Sequence, residues 1–249
     1  MRRWWLAALV AGFVCVSSAR ADEAIAPDDS TRAIVAAEQE FPVALGSFTT
    51  TLSGSLPART TNIRLAVAAL DGAVLEPGDV LSFNAVVGPR SRERGYLDAP
   101  VILRETRQLQ TGGGVCQVAS TVFVAALLSG LDVAERWRHS SPVDYVALGE
   151  DATIAWRVKD LRVRNATGVR LRLRVAVTGN ALSARFEGAD PVETQYELAR
   201  EERELPADAD DGRPGREVTL VRVRREPSGD EHREVVHRDV FPPTQARPR

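Results

Sequence analysis

From Val115 to Leu128 the chain reads as a helix with almost no polar face: Val, Cys, Gln, Val, Ala, Ser, Thr, Val, Phe, Val, Ala, Ala, Leu, Leu. A helix that is apolar all round has to lie inside a domain, covered by other elements on every side. Gly130 follows as a C′ stop. Thr111-Gly112-Gly113-Gly114 comes immediately before it, and glycines in a row allow positive φ and close approach of another chain. Cys116 therefore falls in the first turn, where unpaired N–H groups and a partial positive charge favour a thiolate.

The cover for this helix is readable on both sides of it. Phe48–Leu52 is rich in β-branched residues and predicts a strand. Asn62 reads as the N-cap of a helix through Leu75, with Ile63, Val67 and Leu70 on one face. Glu76–Asp79 is a turn, Val80–Asn84 a strand, and Gly88-Pro89-Arg90 closes it. Downstream, Ala152–Arg164 and Val169–Val177 alternate with period two, as half-buried antiparallel strands do. Asn165–Gly168 is the expected hairpin loop between them, and Asn180–Glu187 a further strand. Residues 190–215 are rich in Glu, Asp, Pro and Gly and read as a solvated connection to a terminal hairpin, residues 216–241, ahead of a disordered tail, 242–249. The expected fold is α+β: a buried helix carrying Cys116 at its N-terminus, packed on an antiparallel sheet, with a small C-terminal β hairpin.

The N-terminus predicts export. Met1-Arg2-Arg3, an apolar run from Trp4 to Val16 and the small-x-small triplet Ala19-Arg20-Ala21 read as a signal peptide over residues 1–21. The run is too short to span a bilayer comfortably, so membrane contact is expected only transiently, through that peptide, and the destination is periplasmic or extracellular. Residues 22–44 form a separate N-terminal segment, with Thr31–Glu40 as a short helix capped by Ser30. Removing the leader takes away Cys15, leaving Cys116 as the one thiol, and leaves 29 basic against 34 acidic side chains, a net charge of about −5. That balance offers no field for nucleic acid. A lone cysteine in an oxidising compartment is a buried small hydrophobe, a reactive thiol or an intermolecular partner.

A reactive thiol needs a base. His232 and His237 lie in the arginine-rich terminal hairpin, whereas His139 follows Cys116 by 23 residues, on the return from the buried helix, and Asp151 follows by a further 12. Cys116 as nucleophile, His139 as base and Asp151 as orienting carboxylate have the logic of an activated thiol. Gln117 and the helix N–H groups are candidates for oxyanion stabilisation. Glu135, Asp151 and Glu93 offer a second arrangement, in which Glu135 acts as general acid on a glycosidic bond. Arg90 is suited to a bidentate carboxylate contact, and Gly112, Gly113 and Gly114 to close approach of substrate. One Cys and one His at this separation lack metal-ligand spacing, and the glycines lack the Lys-Ser/Thr of a phosphate loop, so neither metal nor cofactor is expected.

Arg59-Thr60-Thr61-Asn62-Ile63, Glu76-Pro77-Gly78-Asp79-Val80-Leu81-Ser82-Phe83-Asn84, Val87-Gly88-Pro89-Arg90, Gly95-Tyr96, Gly112–Val118, Glu135-Arg136, His139-Ser140 and Gly149–Thr153 occur in this order. The set resembles the VanW-like family, named for an accessory protein of some vancomycin-resistance gene clusters, over a domain of residues 45–189. Gly212-Arg213-Pro214-Gly215 before the terminal hairpin resembles the short β tail that follows this domain. Where the family has Ser-Thr-Thr after Cys-Gln-Val, this chain has Ala119-Ser120-Thr121. The resemblance implies a cell-envelope protein with peptidoglycan or its fragments as partner. It leaves two readings: a peptidoglycan-modifying hydrolase, transferase or lyase, thiol-based or glycosidic through Glu135, and a non-catalytic peptidoglycan-binding or scaffold module.

Overall fold

The computed structural model describes residues 40–52, 54–103, 106–207 and 214–243. The leader at 1–21, the helix expected at 31–40 (except Glu40), the Gly212-Arg213 part of the tail motif and residues 244–249 lie outside the described residues.

The chain opens with β1 (Val43–Thr51) and α1 (Pro57–Leu70). The short strands β2 (Val74–Leu75) and β3 (Val80–Ser82) follow, then the one-turn α2 (Phe83–Val87). A hairpin of β4 (Asp98–Leu103) and β5 (Thr106–Thr111) leads into α3 (Val115–Leu128). After it come β6 (Asp132–Glu135), β7 (Arg162–Arg164), β8 (Leu171–Thr178) and β9 (Ala181–Gly188). The described chain ends with β10 (Gln195–Leu205), β11 (Gly215–Arg225) and β12 (Glu231–Phe241). The class is the expected α+β. The main sheet is antiparallel, in the order β1-β9-β8-β2; β3-β7-β6 and β10-β11-β12 form two smaller sheets.

The helix predicted to be buried is the centre of the molecule. Val118, Val122, Phe123, Ala125 and Ala126 have no exposed surface, and Val115, Val124 and Leu127 have 1% each. Burying a side chain of the size of Val, Leu or Phe contributes about 1.5–3 kcal/mol. Its cover is the main sheet on one side and α1, β6 and β10 on others. Two hydroxyl contacts fix the helix on β1: Thr50 Oγ1 lies 2.9 Å from Thr121 Oγ1, and Ser129 Oγ donates to Gly46 O at 3.2 Å. Strand and helix meet so closely at Gly46 that a Cβ there would lie 2.5 Å from the Leu128 carbonyl. The β1–β9 register shifts at the same point.

Several expected boundaries move. The first long helix starts at Pro57, not at Asn62, because proline at the start of a helix loses no hydrogen bond. Asn62 is interior and fully buried, and residues 74–75 pair with β8 instead of continuing the helix. The strand expected over Val80–Asn84 turns helical at Phe83, where Ser82 Oγ caps the Ala85 N–H. Ala152–Arg164 is not one strand: an Ala155–Lys159 bridge closes a tight turn around Arg157 (φ 63°), and Val158 is 73% exposed. Only Arg162–Arg164 pairs in a sheet. Asn165–Gly168 is not a hairpin loop, since β7 and β8 belong to different sheets. Its Asn165 side chain instead donates to Leu75 O and Val169 O, at 3.1 and 2.7 Å.

The segment read as a connection contains β10, which pairs along its whole length with β11. The terminal β11–β12 hairpin is present, as the outer part of a three-stranded sheet. That sheet lies against the end of α3: Arg222 Nη1 donates to Leu131 O at 2.7 Å, and the Tyr196 ring packs where a Cβ on Gly130 would be.

Candidate functional site

The site is assembled at the N-terminus of α3. Gly114 is the N-cap with φ 104°, a left-handed conformation that favours glycine. The glycine loop is held from below by Asn62, whose Nδ2 donates to Gly113 O (3.0 Å) and Leu97 O (2.9 Å) while its Oδ1 accepts from Leu97 N (2.7 Å). Each glycine makes room for something different. A Cβ on Gly112 would lie 2.7 Å from Arg90 Cβ, one on Gly113 2.5 Å from Ala99 O, and one on Gly114 2.6 Å from Arg59 Cγ.

The histidine and aspartate reach the helix mouth by a local pairing of two irregular segments. Thr153 N donates to Trp137 O at 2.7 Å, so residues 151–153 run beside 137–139. Ser120, one turn into α3, accepts from Ala152 N at 2.9 Å and donates to Cys116 O, also at 2.9 Å. Ala119, between Gln117 and Ser120 in the same turn, is fully buried and packs as a small core residue.

Asp151 Oδ2 accepts two bonds from one residue: the His139 backbone N–H at 2.6 Å and its ring Nδ1 at 2.7 Å. With Nδ1 carrying a proton toward Asp151, Nε2 is the nitrogen left for the sulfur. Both side chains are buried. Cys116 is half-buried. Its Sγ lies 3.6 Å from Thr153 Oγ1 and 3.8 Å from Ile154 O. Burial alone would push the thiol up. The hydrogen bond and charge of His139, with contacts from Ile154 and Thr153, outweigh it and bring the thiol down to about 7. Burial would push the imidazole down, but Asp151 and Cys116 raise it to about 9. The favoured form between those values is thiolate with imidazolium. Desolvation opposes ionisation of Asp151 too, and His139 and Arg136 overcome it, holding the carboxyl below its ordinary value.

Arg136 extends the constellation. Its Nη2 is 2.8 Å from Asp151 Oδ1, its Nε donates to Asp151 O at 2.6 Å, and its Nη1 contacts both carboxylate oxygens of Asp239 at 2.7 and 2.8 Å. Arg136 and both carboxylates are nearly inaccessible. Tyr145 sets its ring edge-on to His139, centroids 6.4 Å apart, and burial pushes its phenol well up.

The structure thus brings Cys116, His139 and Asp151 together. Glu135 is engaged elsewhere: its Oε1 accepts from Trp137 Nε1 (2.8 Å) and from the Asp160 N–H (3.0 Å). Glu93 is on an exposed 3₁₀ turn. Gln117 does not fill the expected oxyanion role with its side chain. Both Nε2 protons are taken, by Thr50 Oγ1 and Thr51 O at 2.9 Å each, and Oε1 accepts from Arg59 Nη2 at 2.6 Å. Arg90 donates to Asn84 Oδ1 (2.6 Å) and Gly88 O (2.9 Å), with its guanidinium 5.9 Å from the Trp156 ring centroid. Sequence reasoning missed Arg59, Ser120, Arg136, Tyr145, Thr153 and Asp239. For Arg136 the sequence holds a signal, its place three residues before His139. For Asp239 there was none, because it arrives from a sheet far along the chain. Among the described residues no group of three or more His, Cys, Asp and Glu side chains has a metal-binding arrangement.

Fold and site together define an α+β protein built around a helix-mouth cysteine that faces an aspartate-oriented imidazole. The family described as VanW like protein matches residues 58–186, more than half of the chain, and the chain belongs to that family. It is 35% identical over 151 residues to the uncharacterized protein YoaR of Bacillus subtilis (strain 168), which covers 61% of this chain and 50% of the relative. It is 26% identical over 143 residues to the vancomycin B-type resistance protein VanW of Enterococcus faecalis (strain ATCC 700802 / V583), covering 55% and 52% respectively. The chain thus spans about half the length of the curated relatives it matches. No solved structure matches it.

Proposed function

We propose that this protein is an exported thiol enzyme of the bacterial cell envelope that cleaves or transfers an acyl group of the peptide part of peptidoglycan. The observation that carries the reading is the Cys116–His139–Asp151 arrangement, with His139 fixed through its backbone N–H and its ring Nδ1 on one carboxylate oxygen. One relative is named a vancomycin B-type resistance protein, and the basic-apolar-small start of the chain fits export.

In the proposed reaction the Cys116 thiolate attacks the carbonyl carbon of an amide, forming the C–S bond and placing charge on oxygen. Of the N–H groups at the start of α3, those of Val115 and Gln117 are already bonded to Gly112 O and Gly114 O, which leaves the Cys116 N–H as the candidate donor to that oxyanion. The C–N bond then breaks as His139 Nε2 gives its proton to the departing amine. Water, or an acceptor amine, attacks the thioester and loses its proton to His139; the C–S bond breaks and the thiolate returns. Asp151 stays ionised and keeps the ring oriented.

The test is incubation of purified protein with peptidoglycan sacculi and analysis of the soluble fragments by mass spectrometry. New peptide ends or cross-links, lost in Cys116→Ala, are expected. Full activity in Cys116→Ala overturns the thiol mechanism, and sacculus binding without any bond change favours the non-catalytic binding module.

A further inference from the structure

We propose that Arg59 and Arg90 form a carboxylate-binding subsite beside Cys116, so that the acyl compound taken by the thiol carries a free carboxylate close to the carbonyl attacked. The inference rests on the thiol reading above and names its substrate class: a peptide with a terminal or side-chain carboxylate next to the bond broken.

The two arginines come from different elements, α1 and the loop after α2, and converge across the same three residues. Arg59 Cγ occupies the space a side chain on Gly114 would need, and the Arg90 stem the space of one on Gly112. The glycine loop thus packs against both arginine stems: Arg59 ends on Gln117 in the first turn of α3, and Arg90 ends on Asn84 and Gly88, within electrostatic range of Cys116. Arg59 is held by Gln117 Oε1 (2.6 Å) and Ser55 Oγ (3.3 Å), and Arg90 by Asn84 Oδ1 and Gly88 O. All four acceptors are neutral. Among the described residues neither guanidinium has a carboxylate within ion-pair distance, although Arg136, Arg172, Arg185, Arg200 and Arg222 do. Asp144 and Asp160 act on them at longer range, and the Asp160 oxygens are already taken by Ser82 Oγ and the Asn84 N–H.

Burial lowers both guanidinium pKa values, and the charge of Cys116 acts on both in the opposite direction. A partly desolvated cation with only neutral acceptors gains most from an arriving anion, and a guanidinium retains N–H donors to bind it. The neutral acceptors orient each fork without neutralising it. Trp156, 38% exposed and stacked near Arg90, adds an apolar wall to the same place.

The test compares alkylation of Cys116 by iodoacetate and by iodoacetamide at pH 7, read on the Cys116 peptide by mass spectrometry. In each reaction the C–S bond forms and iodide leaves; the reagents differ in carrying a carboxylate or a neutral amide. A bare thiolate repels an anion, so the expected iodoacetate-to-iodoacetamide rate ratio exceeds that of free cysteine by about tenfold or more and falls with added salt. Arg59→Gln and Arg90→Gln should each lower the ratio, and the Lys variants should retain most of it. A ratio also cancels any change in thiolate fraction. In the wild-type chain, N-acetylalanine should protect Cys116 from iodoacetamide, and N-acetylalanine amide should not. Fast alkylation by iodoacetamide with the free-cysteine ratio and no protection overturns the subsite alone. A thiol inert to both reagents until unfolding overturns the thiol reading and the subsite together.

Discussion

His139 Nδ1 lies 2.7 Å from Asp151 Oδ2, and the His139 backbone N–H binds the same oxygen at 2.6 Å. One carboxylate atom therefore fixes both the position of the residue and the rotation of its ring. This leaves Nε2 for Cys116 and makes the imidazolium the favoured form beside a thiolate.

The first prediction concerns the pH profile of the thiol. With Cys116 brought down to about 7, its alkylation rate by iodoacetamide should rise through pH 7, well before the range of an ordinary thiol near 8.5. His139→Ala removes the largest stabiliser of the thiolate and leaves the burial penalty. The inflection should then move above the ordinary thiol range. An unchanged inflection in that variant would show that the imidazole does not act on the sulfur.

Arg136 couples the site to the C-terminal sheet, since it holds Asp151 on one side and Asp239 of β12 on the other. Asp239→Ala leaves a buried guanidinium with one carboxylate instead of two. Breaking a buried ion pair costs about 3–5 kcal/mol, readable as a lowered urea midpoint. If β12 merely adds stability, the Cys116 inflection stays where it is in the variant that remains folded. If Asp239 positions Arg136, and through it Asp151 and His139, the inflection moves up as well. Asp239→Asn, which keeps the shape, separates loss of charge from loss of packing.

The parts of the fold legible in the sequence are those where burial writes a period. α3 is apolar all round, β8 and β9 alternate, and the terminal hairpin alternates about a Pro-Ser-Gly-Asp turn. β10 was not legible, because Glu197-Leu-Ala-Arg-Glu-Glu-Arg-Glu204 carries the composition of a solvated segment. Its charges are matched across the sheet instead: Arg203 to Glu217, Arg225 to Glu197 and Arg233 to Glu201. Asn62 reads as a helix cap from its type, but tertiary structure uses it to fasten the Leu97 and Gly113 backbones. Cys116, His139 and Asp151 were legible as a set because helix, return and loop follow in order. Arg59 and Asp239 were not, since nothing local to either points at a thiol.

Two glycines test the packing around α3 without touching a titrating group. Gly113→Ala places a methyl 2.5 Å from Ala99 O, and Gly46→Ala places one 2.5 Å from the Leu128 carbonyl. Backbone cannot step aside as a side-chain tip can, so each should destabilise by about 1–3 kcal/mol. The two should differ in readout. Gly46→Ala shifts the far end of α3 and should leave the Cys116 alkylation inflection in place, whereas Gly113→Ala displaces the loop at the helix mouth and should move it. Equal movement in both would mean that α3 shifts as a rigid rod.

The last prediction is the shape of stability against pH. Asp151 and Asp239 are both held below the ordinary carboxyl value of 3.8, against the cost of burial, by His139 and Arg136 and by His237 and Arg136 respectively. A carboxyl with a depressed folded pKa contributes stability that is present above its unfolded value and lost as pH falls through the folded one. The urea midpoint should therefore decline below about pH 4, and Asp239→Asn should start lower and decline less steeply. His139 has the opposite sign. Raised to about 9, its contribution is full below its unfolded value near 6.5 and is lost as pH rises through 9. Cys116, brought down to about 7, contributes in the other sense from pH 7 up to its unfolded value near 8.5, so the two offset there and the wild-type midpoint should fall chiefly above about pH 8.5. Cys116→Ala removes the offset, so its midpoint should fall from about pH 7 upward while the acid decline from Asp239 remains. A Cys116→Ala profile parallel to the wild type across about pH 7–8.5 would refute a raised His139.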